Sequence, residues 1–258
     1  MNRSQKVTLF SAVLLLFLLP FTLKLSACAK PPGIADSTGQ GFAVLELFTS
    51  EGCSSCPPAE QLLETLQGES TGKPVYILAY HVDYWDRLGW KDPFSSAAFS
   101  LRQYDYSRYF TGQVYTPQMV LNGQTEGVGS NESLIRHTVV KLLDQAGTAT
   151  LAIEATPKAG EATVRYQAAT GNKSRLEIAI VEKHAISKVT RGENEGRTLS
   201  HVQIVRSLQS FSIGKNGAGA EKIALPKDFN TTDWEIIGLL RNPGTGAILA
   251  ANRATFIL

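Results

Sequence analysis

Thiols are scarce in this sequence, which has three cysteines among 258 residues. One pair, Cys53 and Cys56, has the C-x-x-C spacing, and neither a second such pair nor an H-x-x-x-H motif accompanies it. The usual spacing of a four-ligand zinc site is therefore incomplete. An excess of one sign of charge is also lacking, since 25 Lys and Arg residues face 23 Asp and Glu residues and the formal net charge is +2. With 43% hydrophobic and 19% charged residues, the composition is typical of a folded soluble protein and excludes a fibrous or mainly disordered chain.

A long uninterrupted apolar run is lacking as well. The apolar stretch 7–21 contains Pro20 and is soon followed by Lys24, which favours a cleaved signal over a permanent membrane span. Arg3 and Lys6 precede the stretch and form the basic region that such a signal requires. The N-terminus therefore predicts export.

The signal is expected to cover residues 1–29, and two cleavage routes fit its end. Leu25–Cys28 resembles a bacterial lipobox, which makes Cys28 a candidate for lipidation. Ala27–Ala29 fits the A-x-A site of an ordinary signal peptidase, and both routes stay open. We expect the protein in the periplasm or cell envelope, where a lipid anchor would be its one membrane contact.

Cleavage changes both the charge and the thiol count. Residues 1–29 carry three cations and no anion, so their removal lowers the formal net charge from +2 to −1. Nucleic acid is therefore not an expected partner. Cys53 and Cys56 become the only free thiols, and one vicinal pair in an exported protein suits redox or disulfide chemistry. Residues 30–40, rich in Pro, Gly and Ser, are predicted to be a flexible tether.

The cysteine pair lies between a predicted strand and a predicted helix. Phe42–Phe48 is nearly continuous in apolarity, as in a strand buried on both faces. A helical apolar stripe follows Cys56, and a second apolar strand covers 74–80, which completes a βαβ unit. The helix N-terminus presents unpaired N–H groups and a partial positive charge beside Cys53, and both favour a thiolate.

Polar and aromatic residues follow the second strand. His81 and Asp83 stand at its carboxyl end, where α/β folds place their sites. Either they fix this loop through hydrogen bonds or they tune a cysteine pKa. Residues 94–110 are predicted to be helical, with an apolar stripe that includes Leu101 and Tyr104. The aromatic residues could line a substrate groove, but a stripe at helical spacing more often belongs to the core, and we assign it there.

Several separated motifs resemble one family. They are Glu46–Ala59, His81–Asp86, Leu88–Phe94, Tyr115–Gln118 and Arg191–His201. Together they resemble a secreted bacterial thioredoxin-like family catalogued as a domain of unknown function, and the resemblance covers most of the mature chain. It implies a thioredoxin fold with a helical insertion between the central strands. It implies no settled activity, because a fold alone does not establish a function.

The resemblance also implies roles for single residues. Thioredoxin-like proteins place a cis-proline opposite the C-x-x-C pair, so the Thr116–Pro117 bond is expected to be cis and to shape the substrate contact. Thioredoxins carry a buried carboxylate in the first strand, one residue nearer to the first cysteine than Glu46 is. In a regular strand that offset turns Glu46 to the other face and predicts a structural carboxylate, whereas a bulge would make it a proton relay.

The pattern changes near residue 148. Apolar and polar residues then alternate, and turn clusters separate about seven short segments. We predict an α/β thioredoxin-like domain with a helical insertion over 41–147. An all-β, antiparallel, sandwich-like domain is predicted over 148–258.

A charged, glycine-rich loop, Arg191–His201, lies within this second half. It has two interpretations. In the first, the loop docks on the first domain and covers the C-x-x-C pair, or binds a carboxylate through an arginine such as Arg197. In the second, it is a turn that needs its glycines and caps itself through Asn194.

The leading functional prediction is a thiol–disulfide oxidoreductase that acts on a protein or peptide. It needs no cofactor beyond the Cys53–Cys56 disulfide. Cys53, expected to be the more exposed sulfur, would attack the substrate, Cys56 would resolve the mixed disulfide, and Pro117 would shape the contact. The supporting residues are Thr116, Glu46, His81 and Asp83.

Two alternatives remain beside it. One is a non-enzymatic binding module with a structural disulfide. The other is a copper- or zinc-handling protein that uses Cys53, Cys56 and His81 as ligands, since thiolate and imidazole suit both metals. The redox direction and the oligomeric state are left open.

Overall fold

Residues 39–110, 112–171 and 173–258 are described by a computed structural model. The predicted signal peptide, the lipidation candidate Cys28 and nearly all of the predicted tether lie outside them. Among the helices within those ranges, none combines the length and the apolarity needed to cross a membrane.

Strands dominate the described chain. In order, the elements are β1 (Ala43–Thr49), α1 (Pro57–Glu69), β2 (Val75–His81), a 3-10 helix (Asp83–Leu88), α2 (Ala97–Ser107), β3 (Gln118–Leu121), β4 (Thr125–Val128), α3 (Glu132–Leu143), β5 (Ala149–Lys158), β6 (Glu161–Thr170), β7 (Arg175–Lys188), β8 (Thr198–Ser212), β9 (Ala218–Ala224), β10 (Trp234–Arg241), β11 (Ile248–Arg253) and β12 (Thr255–Phe256). The predicted strand–helix–strand unit is present as β1, α1 and β2, with boundaries shifted by about one residue.

The larger sheet has eight strands in the order β11-β10-β7-β8-β2-β1-β3-β4. β1 runs parallel to β2, with Ala43 opposite Val75, and antiparallel to β3. β2 then pairs in parallel with β8 through Ala79 and Ile204. Strands from both halves of the chain therefore form one sheet.

The second sheet has four strands in the order β12-β5-β6-β9. Leu151 and Ile153 of β5 pack with Ile178 of β7 and Ile236 of β10, so one core lies between the two sheets. The inward positions of β5 alternate along the strand, as the period-two pattern predicts.

The predicted boundary at 147/148 marks a change of secondary structure inside one compact unit, which contains all of the described residues. Four strands of the second half, β7, β8, β10 and β11, extend the sheet of the first half. The physical reason is that β2 would otherwise leave an open hydrogen-bonding edge, and β8 pairs with that edge.

Helices cover both faces of β1, which explains its continuous apolarity. Leu45 and Leu47 pack against Leu63 of α1 and Ile135 of α3. Phe48 points to the opposite face, where it packs in the core that includes residues of α2. The cysteine pair precedes α1 and therefore belongs to the first of these faces.

Glu46 lies on the α2 face and has a structural role. Its carboxylate accepts a hydrogen bond from Arg102 Nε at 2.7 Å and another from the Tyr106 hydroxyl. Arg102 Nη1 also donates to Glu177 of β7 at 2.9 Å. The register of β1 on β2 is continuous from Ala43 to Thr49, so the strand does not bulge to turn Glu46 toward the cysteines.

The buried face of α2 differs from the predicted one. Leu101 is 67% exposed and Tyr104 is 49% exposed, whereas Phe99, Arg102 and Tyr106 are buried. The prediction was wrong because it followed apolar residues alone. Two carboxylates from other strands hold Arg102 in the interior, and the helix turns its polar side inward to meet them.

We expect Arg102→Ala to lower the free energy of unfolding by about 3–5 kcal/mol, because it leaves two buried carboxylates without their cation. Leu101→Ala, at the neighbouring exposed position, should change it by less than about 0.5 kcal/mol. Denaturant-induced unfolding measures both values. Equal effects of the two substitutions would contradict the assigned orientation of α2.

Candidate functional site

The cysteine pair forms a disulfide at the start of α1. Cys53 and Cys56 have their Cα atoms 5.4 Å apart, and the Cys56 N–H donates to the Cys53 carbonyl at 3.2 Å. Cys56 is the residue that precedes the helix, and Pro57 and Pro58 occupy its first turn, where a missing N–H costs little. The Ser55 hydroxyl lies 3.3 Å from Cys53 Sγ. The disulfide thus stands at the positive end of the helix, as the sequence predicts.

Neither cysteine is exposed. Cys53 and Cys56 are both fully buried, so the expectation that Cys53 is the more accessible sulfur was wrong. The reason is a contact from the second half of the chain. The loop between β7 and β8, residues 190–197, lies over the C-x-x-C segment, and we call it the cover loop.

The cover loop is held on the C-x-x-C segment by polar contacts. Asn194 Nδ2 donates to the carbonyl oxygens of Glu51 at 2.8 Å and Cys53 at 3.0 Å. The Ser54 N–H donates to the Glu193 carboxylate at 3.0 Å. The Ser54 side chain, and after it this N–H, lower the pKa of Glu193. These contacts agree with the first interpretation of this loop, in which it docks on the first half of the chain and covers the cysteine pair.

The turn character of the cover loop is present too. Gly192 and Gly196 have φ of +81° and +80°, a backbone region that glycine adopts without strain. Asn194 does not cap the turn with its amide. Its side-chain oxygen accepts from Arg197 Nη1 at 2.9 Å, which leaves the Asn194 amide group free to bind the C-x-x-C segment.

The Thr116–Pro117 bond is cis, so that prediction is confirmed. Trp85 connects this bond with the cysteine loop. Its Nε1 donates to Thr116 Oγ1 at 2.8 Å, and a methyl group on Gly52 would lie 3.3 Å from Trp85 Cβ. The proline segment and the C-x-x-C segment therefore flank one indole ring.

Glu51, next to the cysteine loop, is buried and connects it with the second half of the chain. Its carboxylate accepts from Trp90 Nε1 at 2.6 Å, from the Ser187 hydroxyl of β7, and lies 3.0 Å from His201 Nε2 of β8. Its backbone N–H donates to Asp92 at 2.8 Å. These contacts place the cysteine loop on β7 and β8.

His201 lies between two carboxylates. Its Nε2 faces Glu51, and its Nδ1 is hydrogen-bonded to Glu60 of α1, which also accepts from Thr49 Oγ1 at 2.6 Å. Burial alone would lower the pKa of His201, but the hydrogen bonds to Glu51 and Glu60 outweigh it and raise the pKa to about 10. Burial likewise raises the pKa of Glu60, and the His201 contact outweighs it, so that pKa is lowered. His201 and Glu60 therefore form a buried ion pair at neutral pH.

His81 and Asp83 have different surroundings. His81 Nδ1 is 2.7 Å from Asp92 Oδ2, and the His81 ring lies 5.0 Å from the His201 ring, centroid to centroid. Burial raises the pKa of Asp92, but the charge of His81 and its hydrogen bond outweigh that effect and lower the pKa. Asp83 accepts from the Ser100 hydroxyl at 2.5 Å, so it fixes the loop before α2.

No metal site was predicted, and the ligands of the metal-handling alternative, Cys53, Cys56 and His81, do not form a group in the described part of the chain. The sulfurs of Cys53 and Cys56 are bonded to each other instead. The described residues do contain another group of suitable donors, Glu60, His81 and His201. All three are buried.

Sequence reasoning missed the residues that surround the disulfide. Glu51 and His201 belong to the motifs that resemble the family, but they had no assigned role. Glu60 lies beside a helical apolar stripe. The available signal was a carboxylate or histidine among buried positions. That signal indicates a need for partners, but it does not identify them, because the partners lie up to 150 residues away.

Comparisons place the chain among proteins of related sequence and shape. A family model described as "Protein of unknown function (DUF1223)" matches residues 44–241. The crystal structure of protein AGR_C_4864 from Agrobacterium tumefaciens is similar at a TM-score of 0.65, with 26% identity over 86% of this chain and 96% of that one. A domain of the outer membrane lipoprotein Omp28 from Porphyromonas gingivalis gives a TM-score of 0.28 and 13% identity over 43% of this chain and 88% of that one, too low for any argument. A search of curated proteins found no match to the chain.

We expect Asn194→Ala to speed the reduction of the Cys53–Cys56 disulfide by dithiothreitol by about 30-fold, because its two hydrogen bonds to the C-x-x-C segment contribute about 1 kcal/mol each to keeping the cover loop closed. Glu195→Ala, at the adjacent exposed position, is the control and should leave the rate unchanged. Quenched thiol alkylation followed by mass spectrometry gives the rates. Equal rates for Asn194→Ala and the unmodified chain would show that this side chain does not limit access.

Proposed function

The chain belongs to the DUF1223 family, and we propose that it is a thiol–disulfide oxidoreductase of the bacterial cell envelope. The observation that carries the proposal is the disulfide between Cys53 and Cys56 at the N-terminus of α1. Unpaired N–H groups and the helix dipole favour a thiolate at this position once the bond is reduced.

A purely structural purpose explains this bond poorly. Cys53 and Cys56 are three residues apart, so the disulfide closes a very short loop. In the chain-entropy model, the stabilisation that a disulfide contributes grows with loop length and is least here. The pair therefore adds little stability, which supports a chemical role.

The strand arrangement around the pair supports a thioredoxin-like core. The order β2-β1-β3-β4, with β1 parallel to β2 and antiparallel to β3, agrees with the fold that the motifs imply. Helix α2 and the 3-10 helix are then the insertion between the central strands. The β-rich remainder extends this core on the β2 side.

The reaction needs no cofactor beyond the cysteine pair. The Cys53 thiolate attacks a substrate disulfide, forms a mixed disulfide and releases one substrate thiolate. The Cys56 thiolate then attacks Cys53 Sγ and releases the second, so the pair is oxidised by two electrons as the substrate is reduced. Oxidation of a substrate runs the same steps in reverse. The Ser55 hydroxyl, 3.3 Å from Cys53 Sγ, is placed to donate to the thiolate.

The substrate is a protein or peptide whose sulfur must reach a buried bond. The cover loop has to leave the C-x-x-C segment first, which breaks the contacts of Asn194 and Glu193. Departure of Glu193 also removes a carboxylate from the helix N-terminus, and that removal favours the thiolate. Thr116 and Pro117 then flank the approach. The proposed envelope location rests on the export signal predicted for residues 1–29.

A second candidate is a binding module with a structural disulfide. The complete burial of Cys53 and Cys56 favours it, because an attacking sulfur is ordinarily accessible. The two candidates differ in what happens when the sulfurs are removed. A binding module keeps its partner in the Cys53→Ser variant, whereas an oxidoreductase loses its turnover.

We expect the unmodified chain to catalyse exchange of insulin or glutathione disulfides, and Cys53→Ser to reduce the rate to that of the uncatalysed reaction. Cys56→Ser is the matched variant. It retains the attacking sulfur and should accumulate a mixed disulfide with glutathione, because the resolving thiol is missing. Turnover assays in the reducing and oxidising directions, with mass spectrometry of the adducts, measure both effects. Absence of exchange by the unmodified chain in both directions would refute the oxidoreductase.

A further inference from the structure

We propose that Glu60, His81 and His201 bind a zinc ion beside the first turn of α1. One carboxylate oxygen and one nitrogen of each ring lie within 4.8 Å of one another. They come from three separate elements, α1, the end of β2, and β8. Two imidazoles and one carboxylate are a ligand set that zinc uses in sites with an open fourth position.

His81 is oriented as a metal ligand. Its Nδ1 lies 2.7 Å from Asp92 Oδ2, and in the neutral ring that donates to this carboxylate the lone pair is on Nε2. His81 is completely buried, and within the described part of the chain Nε2 has no hydrogen-bond partner. A buried acceptor without a partner costs about 1–3 kcal/mol. A bound cation would satisfy it, and carboxylate–histidine–metal is a common arrangement.

His201 has the same type of outer partner. Its Nε2 lies 3.0 Å from Glu51, which leaves Nδ1 directed at Glu60. Without a metal, His201 Nδ1 donates a hydrogen bond to the Glu60 carboxylate. Zinc would take the place of the Nδ1 proton, bind both atoms and release the proton to solvent. Two histidines, each held by an outer carboxylate, thus converge on Glu60.

The charge of the cluster also favours a cation. Three carboxylates, Glu51, Glu60 and Asp92, surround two imidazole rings. The carboxylates outnumber the rings, so the cluster is negative whatever the protonation of the histidines. A divalent ion in this low-dielectric interior offsets that excess.

The ion has an entry path. A surface cavity of about 210 Å³ is lined by Pro57, Glu60, Gln61, Glu64 and residues 198–200. Glu60 stands at its inner end, since its carboxylate also reaches the buried His201. The cavity leaves room for a water or a small ligand at the fourth position of the metal.

The site requires no sulfur, which separates it from the redox chemistry of the cysteine pair. Zinc binding should therefore persist in the oxidised protein and in the double variant Cys53→Ser/Cys56→Ser. Loss of zinc in that double variant would show that thiolates hold the metal and would overturn the proposal.

The test is a titration of the full mature chain, oxidised and stripped by a chelator, with Zn²⁺ alone. Isothermal titration calorimetry and elemental analysis should give one zinc per chain. Glu60→Gln should weaken binding at least about tenfold, and Glu64→Gln, one turn later on α1 and at the same cavity, should not change it. Asp92→Asn should weaken binding about 10- to 100-fold through the orientation of His81.

Several outcomes would overturn the site. One is that the unmodified chain does not bind Zn²⁺. Another is that the Glu60→Gln and Glu64→Gln variants bind Zn²⁺ with equal affinity. If a variant does not fold, as judged by its thermal unfolding, Co²⁺ added to the unmodified chain decides the question. Saturable visible bands that Zn²⁺ removes, without a sulfur charge-transfer band, are expected. Their absence would refute the proposal.

Discussion

The buried carboxylate of Glu51 is the group on which the arrangement around the disulfide depends. A carboxylate in the protein interior is unfavourable unless hydrogen bonds and opposite charge surround it. Glu51 meets that requirement with donors from distant segments. The residues that contact its side chain or backbone are Trp90, Asp92, Ser187, Asn194 and His201. The partners of its carboxylate are Trp90 in the first half of the chain and Ser187 and His201 in the second. The charge of Glu51 is therefore paired only when β7 and β8 pack against the cysteine loop.

The same contact explains why the disulfide is buried. The pairing of Ala79 with Ile204 places β8, and β7 beside it, next to β2. The cover loop, which joins β7 and β8, then lies over the N-terminus of α1. Hydrogen bonds of Asn194 and Glu193 attach the cover loop to the C-x-x-C segment. Gly192 and Gly196 allow the positive φ angles of its turn. Local opening of such a segment costs much less than global unfolding. A fold can thus protect a reactive bond and still expose it on occasion.

Two polar networks flank β1, and they have different chemistry. On the α2 face, the Arg102 guanidinium lies between the carboxylates of Glu46 and Glu177 and forms an ion-pair cluster with them. On the other side, carboxylates outnumber imidazoles, and His81 keeps a nitrogen unpaired among the described residues. Among the described residues Arg102 Nη2 is unpaired as well, so an unpaired nitrogen alone does not distinguish the two networks. The second network differs because one ligand atom each of Glu60, His81 and His201 lie within 4.8 Å of one another, and the zinc site is proposed there for that reason.

Local patterns in the sequence were sufficient for β1, α1, β2 and the alternation of β5, because periodicity and helix-end chemistry act over a few residues. The placement of the cysteine pair at a helix N-terminus follows from the same local rules. The resemblance of Tyr115–Gln118 to thioredoxin-like proteins was sufficient for the cis bond at Pro117. Tertiary structure alone decided the inward face of α2, the sharing of one sheet by both halves, the burial of Cys53 and the meeting of Glu60, His81 and His201. Each of these depends on contacts between groups that are far apart in the chain. The free-energy cost of burying an unpaired charge or strand edge selects the partner. The sequence shows which groups carry that cost, but it does not show which groups pair with them.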